Sequence, residues 1–149
     1  SKVEYEEGYT LVFQGKFEEG LEKLLPLEEK YGDWWNLLFM IGLAYKNMGE
    51  MDKAKEYYEK ILRMKPQQVD TMVELALCEA SSLNMNRAIE LLEAAAKLKE
   101  DPEILCNLGM AYLNVGNFDD ANYYIERAYE LNPEDEVTVA CKRELAKYI

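Results

Sequence analysis

The sequence has no histidine and only four prolines and eight glycines among 149 residues. Without imidazole, the commonest general base and metal ligand near neutral pH is missing. So few prolines and glycines leave no room for a low-complexity linker. The longest apolar runs fall well short of the roughly 20 residues needed to cross a bilayer, so no membrane-spanning helix is expected. Basic residues are outnumbered, with 17 Lys and Arg against 29 Asp and Glu and a net charge of −12. Such a chain repels phosphate backbones and anionic lipid headgroups alike, so neither nucleic acid nor membrane is an expected partner.

Cysteine is scarce as well. Cys78, Cys106 and Cys141 are odd in number and widely spaced, which suits reduced thiols and makes the cytoplasm the default location. There is no glycine-rich phosphate loop and no zinc-ligand spacing, so no cofactor or metal is expected. A lone thiol such as Cys106, with no His or basic neighbour in the sequence, is a poor nucleophile. The chain reads as a non-enzyme. Its opening, Ser1-Lys2-Val3, lacks an initiator Met and a secretion signal, as expected of a segment of a longer protein.

What the sequence does contain is a repeat. "GLAYKNMGEMDKA" at 42–54 returns as "GMAYLNVGNFDDA" at 109–121, with seven of thirteen positions identical. Ala54, Ala88 and Ala121 are spaced by 34 and 33 residues, and Gly20 lies 34 before Ala54. Four units follow, about 1–34, 35–68, 69–101 and 102–135, with a tail of 136–149. Together they are expected to form a single domain.

Within a unit the apolar residues recur at helical spacing. Leu38, Ile41, Ala44 and Tyr45 mark one helix; Ala54, Tyr57, Tyr58, Ile61 and Leu62 mark the next. Gly49 sits between them where a left-handed residue ends a helix. Pro66 and Pro133 stop the second helices of their units. Gly42 and Gly109 fall inside helices, where glycine costs about 1 kcal/mol relative to alanine. Close approach of the paired helix, near Ala54 for Gly42, is the expected compensation.

The period, the small residues at unit positions 8, 20 and 27, the aromatics near 11 and 24 and the proline at 32 together resemble the tetratricopeptide repeat (TPR). The second unit carries the pattern at Leu38, Ile41, Gly42, Tyr45, Ala54, Tyr58 and Pro66; the fourth carries it at Leu105, Leu108, Gly109, Tyr112, Ala121, Ala128 and Pro133. The first and third units depart from it. Pro26 falls within a second helix and predicts a shortened or kinked element, Leu83 replaces a turn glycine, and Glu79 replaces an aromatic. The tail predicts a capping helix over 136–149 with Arg143 at a position that a partner helix would require to be small.

The resemblance implies an all-α, right-handed superhelical solenoid of antiparallel helix pairs whose first helices line a concave groove. It places Tyr5, Tyr9, Phe13, Asn36, Phe39, Leu43, Asn47, Val73, Leu77, Cys106, Met110 and Asn114 on that groove. These side chains are mostly apolar. The Lys and Asn ring with which some members clamp chaperone C-termini is absent. The expected role is therefore a protein-interaction scaffold that binds a peptide or helix with apolar anchors. Rival readings are a small acidic chaperone for an aggregation-prone client, a recruiting module of a larger protein, and self-association through the groove. Trp34 and Trp35 are expected to seal a unit junction, the alternative being an exposed hot spot for a partner.

Overall fold

The computed structural model describes residues 2–149, and among them it contains helices and turns but no strand. The helices are α1 (Lys2–Phe13), α2 (Phe17–Tyr31), α3 (Trp35–Asn47), α4 (Met51–Met64), α5 (Val69–Ser81), α6 (Met85–Leu98), α7 (Pro102–Asn114), α8 (Phe118–Leu131) and α9 (Glu136–Leu145). They fall into two compact units, Ser1–Ser82 and Leu83–Ile149.

In the first unit, α1 pairs with α2 and α3 with α4. Helix α2 also packs on α3, and α4 on α5. Its core gathers Val12, Leu21, Leu24, Leu27, Leu37, Met40, Ile41 and Ala44. In the second unit α7 is the central helix, packed by α6, α8 and α9. Its apolar clusters centre on Leu113, Ala121, Ile125 and Leu145, and on Leu105, Cys106 and Ala128.

The turns are set by backbone conformation. Gly15, Gly49 and Gly116 hold φ of +80°, +82° and +78°, a region that glycine enters without a Cβ clash. Leu83 occupies the same phase of the repeat at φ +64°, with its side chain 88% exposed. The turn is thus retained without the residue that makes it easy.

The helical glycines lie in tight notches. A Cβ on Gly42 would come within 2.7 Å of the Tyr58 ring. One on Gly109 would lie 2.5 Å from Ile125 Cγ1 and 3.2 Å from the Ala121 carbonyl oxygen. Close approach is therefore real, and at Gly42 the three nearest atoms all belong to the Tyr58 ring. Tyr58 is fully buried, and its hydroxyl finds no hydrogen-bond partner among the described residues.

Two departures from the repeat pattern resolve differently. Pro26 does not shorten α2, which runs unbroken for 15 residues. Both Pro26 and Glu22, whose carbonyl loses its usual donor, lie on the exposed side of the helix, where water replaces the missing N–H. Glu79 is 7% exposed and ion-paired at 3.1 Å with Lys55, so a charge pair takes the place of the aromatic. Pro66 and Pro133 each follow the end of their helix, as expected. Helix α9 ends at Leu145, four residues before the end of the chain, and Arg143 stands exposed on it.

The starts of α5, α7, α8 and α9 rest on side-chain caps that the repeat pattern did not reveal. Gln68 Oε1 accepts from both the backbone N–H and the hydroxyl of Thr71, at 2.8 and 2.7 Å. Asp135 Oδ2 does the same for Thr138, at 2.9 and 3.0 Å. Each arrangement satisfies an otherwise orphaned N–H in the first turn. Both threonines are fully buried.

Two stability measurements follow. Gly42→Ala gains about 1 kcal/mol of helix propensity, but it forces a fully buried ring to move, which costs about 1–3 kcal/mol. Urea denaturation is expected to show a net loss, and a stabilised variant would contradict the notch. Leu83→Gly removes an exposed side chain from a left-handed position and is expected to raise stability by about 1 kcal/mol.

Candidate functional site

The first unit presents a strip of rings along α1. Tyr5, Tyr9 and Phe13 lie four residues apart, so they share one helix face. Tyr9 and Phe13 stack with centroids 4.9 Å apart, Tyr5 and Tyr9 lie 6.1 Å apart, and Tyr5 meets Trp34 at 4.4 Å. Exposure rises along the strip: Tyr5 is half-buried, Tyr9 is 40% exposed and Phe13 is 69% exposed. Trp34 and Tyr5 both pack on the core of the unit, so the strip is anchored at one end and open at the other.

Next to the anchored end, Lys2, Tyr5, Glu6, Tyr31 and Trp34 line a depression of about 420 Å³. Burial raises the Tyr5 phenol above its usual range, so it stays a neutral hydrogen-bond donor at physiological pH. Trp34 was expected to seal a junction, with an exposed hot spot for a partner as the alternative. It packs as expected and also extends the ring strip. The sequence signal for this was the DWW triplet at 33–35.

The remaining expected residues of the first unit serve the interior to varying degrees. Phe39 is half-buried between Trp35 and Tyr58, with centroids at 6.0 and 5.9 Å. Leu43 packs against the core. Asn36, Val73 and Leu77 are half-buried. Asn47 directs its amide to the Leu43 carbonyl at 2.8 Å, a bond within its own helix terminus. Where Lys46 meets Glu74 at 2.5 Å, a charge pair with both side chains mostly covered joins α3 to α5.

In the second unit the assignment needs correcting. Cys106 is fully buried, because α9 packs over this part of α7 and its Thr138 hydroxyl lies 3.7 Å from Cys106 Sγ. It cannot line a groove. Met110 is half-buried against the cluster that includes Leu145 of α9. Asn114 is exposed at the last residue of α7.

No group of three or more His, Cys, Asp or Glu among the described residues is placed to hold a metal ion. Cys78 is buried, and its thiol is pushed up to about 11 by that burial, which leaves it chemically quiet. None of the helices among the described residues is long and apolar enough to cross a membrane.

Comparison with known proteins agrees with the repeat. The tetratricopeptide repeat family matches at residues 36–68 and again at 102–135. The photosystem I assembly protein Ycf3 of Prochlorococcus marinus is 30% identical over 127 residues, spanning 78% of this chain and 73% of that protein. Among solved structures, MamA of Desulfovibrio magneticus superposes with a TM-score of 0.83 at 17% identity, covering 98% of this chain and 93% of that one. A thermophilic TPR protein of Thermus thermophilus gives 0.78 at 21% identity, covering 97% and 78%. With helix pairs, turn glycines and packed notches all in the same phase, the chain belongs to the tetratricopeptide repeat family.

Proposed function

We propose that this chain is a protein-interaction scaffold that receives an apolar segment of its partner along the Phe13–Tyr9–Tyr5–Trp34 strip. The observation that carries the reading is a continuous line of rings whose outer members remain uncovered. Aromatic side chains lose little conformational entropy on binding and commonly dominate interface energetics. Asn36, Phe39, Leu43, Val73 and Leu77 then act mainly as the packed support of that surface. Asn47 closes the end of α3, and in the second unit Asn114 ends α7 while Met110 packs as support. Catalysis is not part of this reading, and the working location is the cytoplasm.

The net charge of −12 favours a partner whose apolar anchors are flanked by basic residues, since opposite charge accelerates encounter. A second reading draws on the likeness to Ycf3, which is named for photosystem I assembly. By this reading the chain holds a subunit of a larger complex until that subunit is incorporated. A holding factor keeps its client soluble and then releases it. A permanent scaffold does not release.

Peptides selected from a displayed library against the intact chain test the strip. The double variant Tyr9→Ala, Phe13→Asp is expected to weaken their binding about tenfold or more, with helicity by circular dichroism unchanged because both side chains are exposed. Equal affinity for the variant and the parent chain would move the binding surface elsewhere.

A further inference from the structure

Helix α9 closes over α7 through a pair of thiols that the scaffold reading leaves unused. Cys106 lies on α7 and Cys141 on α9, and Cys141 packs against the apolar cluster that contains Cys106. Cys141 packs against both apolar clusters of the second unit. The contact continues in order: Cys106 Sγ reaches the Thr138 hydroxyl at 3.7 Å, and that hydroxyl donates to Asp135 Oδ2 at 3.0 Å. A line of donors thus runs from Cys106 through Thr138 to the carboxylate that caps α9. Cys106 is fully buried, whereas Cys141 keeps partial contact with solvent.

We propose that Cys106 and Cys141 form a redox modification site, a dithiol that closes to an intramolecular disulfide and fastens α9 to α7 on meeting a low-molecular-weight disulfide. Neither side chain needs a long excursion, since Cys141 packs on the cluster that holds Cys106 and follows Thr138, which Cys106 contacts, by about one helical turn. Their roles follow from access, since Cys141 keeps partial contact with solvent and Cys106 is buried.

Local opening of the terminal helix exposes Cys141, whose thiolate attacks one sulfur of the disulfide RSSR. That S–S bond breaks and RS⁻ leaves with the electron pair. The Cys106 thiolate then attacks the Cys141 sulfur of the mixed disulfide and expels the second RS⁻. The two protons given up by the protein thiols are taken up by the two leaving thiolates. The protein loses two electrons, and RSSR becomes two RSH. Because the second step is intramolecular between pre-positioned groups, it outruns attack by a further small thiol. Closure fixes α9 over the Met110 and Leu113 region of α7, and a reducing thiol pool reverses it.

The test uses the intact chain, reduced and then incubated with oxidised glutathione under folding conditions, alkylated and mapped by tryptic mass spectrometry. Free thiols are expected to fall from three to one, with the peptides carrying Cys106 and Cys141 joined and Cys78 alkylated. The link is expected to form about tenfold or more faster in the folded chain than in urea. In Cys106→Ala, reaction is expected to stop at glutathione on Cys141. Persistent glutathione on Cys141 of the parent chain, a bond to Cys78, three unreacted thiols, or a link that forms no faster folded than unfolded would each overturn the assignment.

Discussion

The helix pairs α1–α2, α3–α4 and α7–α8 each depend on one missing side chain. Where Gly42, Gly109 or Gly8 faces its partner helix, a Cβ would land 2.5–2.7 Å from Tyr58, Ile125 or Leu24 respectively. That space is already filled by a large buried side chain, so the glycine trades helix propensity for packing. The hairpin geometry then directs the remaining apolar faces toward neighbouring helices. In the first unit those faces close around Leu24, Leu37 and Ile41; in the second they close around Ile125, Ala128 and Leu145. Everything presented at the surface, including the ring strip on α1, is held in place by these notches.

The architecture was legible because its constraints are local and repeated. A turn that needs positive φ selects glycine, and Gly15, Gly49 and Gly116 announce it in the sequence. Leu83 is legible too, since the surrounding phase identifies it as a turn residue despite its chemistry. Helix ends at Pro66 and Pro133 follow from a missing N–H. These signals require no knowledge of what lies across the contact.

The candidate surface was less legible for the converse reason. Periodicity assigns a residue to a helix face but does not say what covers that face. Cys106 sits on the expected face and is nevertheless sealed by α9, because the capping helix packs where a ligand was anticipated. Asn47 has the right position but uses its amide on its own helix terminus. At Gly42 the sequence indicated close packing near Ala54, and it is the ring of Tyr58 that comes nearest the notch. The Gln68 and Asp135 caps were missed because their partners, Thr71 and Thr138, resemble ordinary polar residues of a first turn.

The solitary phenol oxygen of Tyr58 bears on how this architecture tolerates drift. A buried hydroxyl without a partner is an energetic burden of about 1–3 kcal/mol, so the contact at Gly42 is kept for the volume of the ring and not for its polarity. The fourth repeat uses Ile125 against Gly109, the same solution with no oxygen at all. Shape is therefore the inherited quantity at this seam, and chemical identity is free to wander as long as the bulk facing each glycine is preserved.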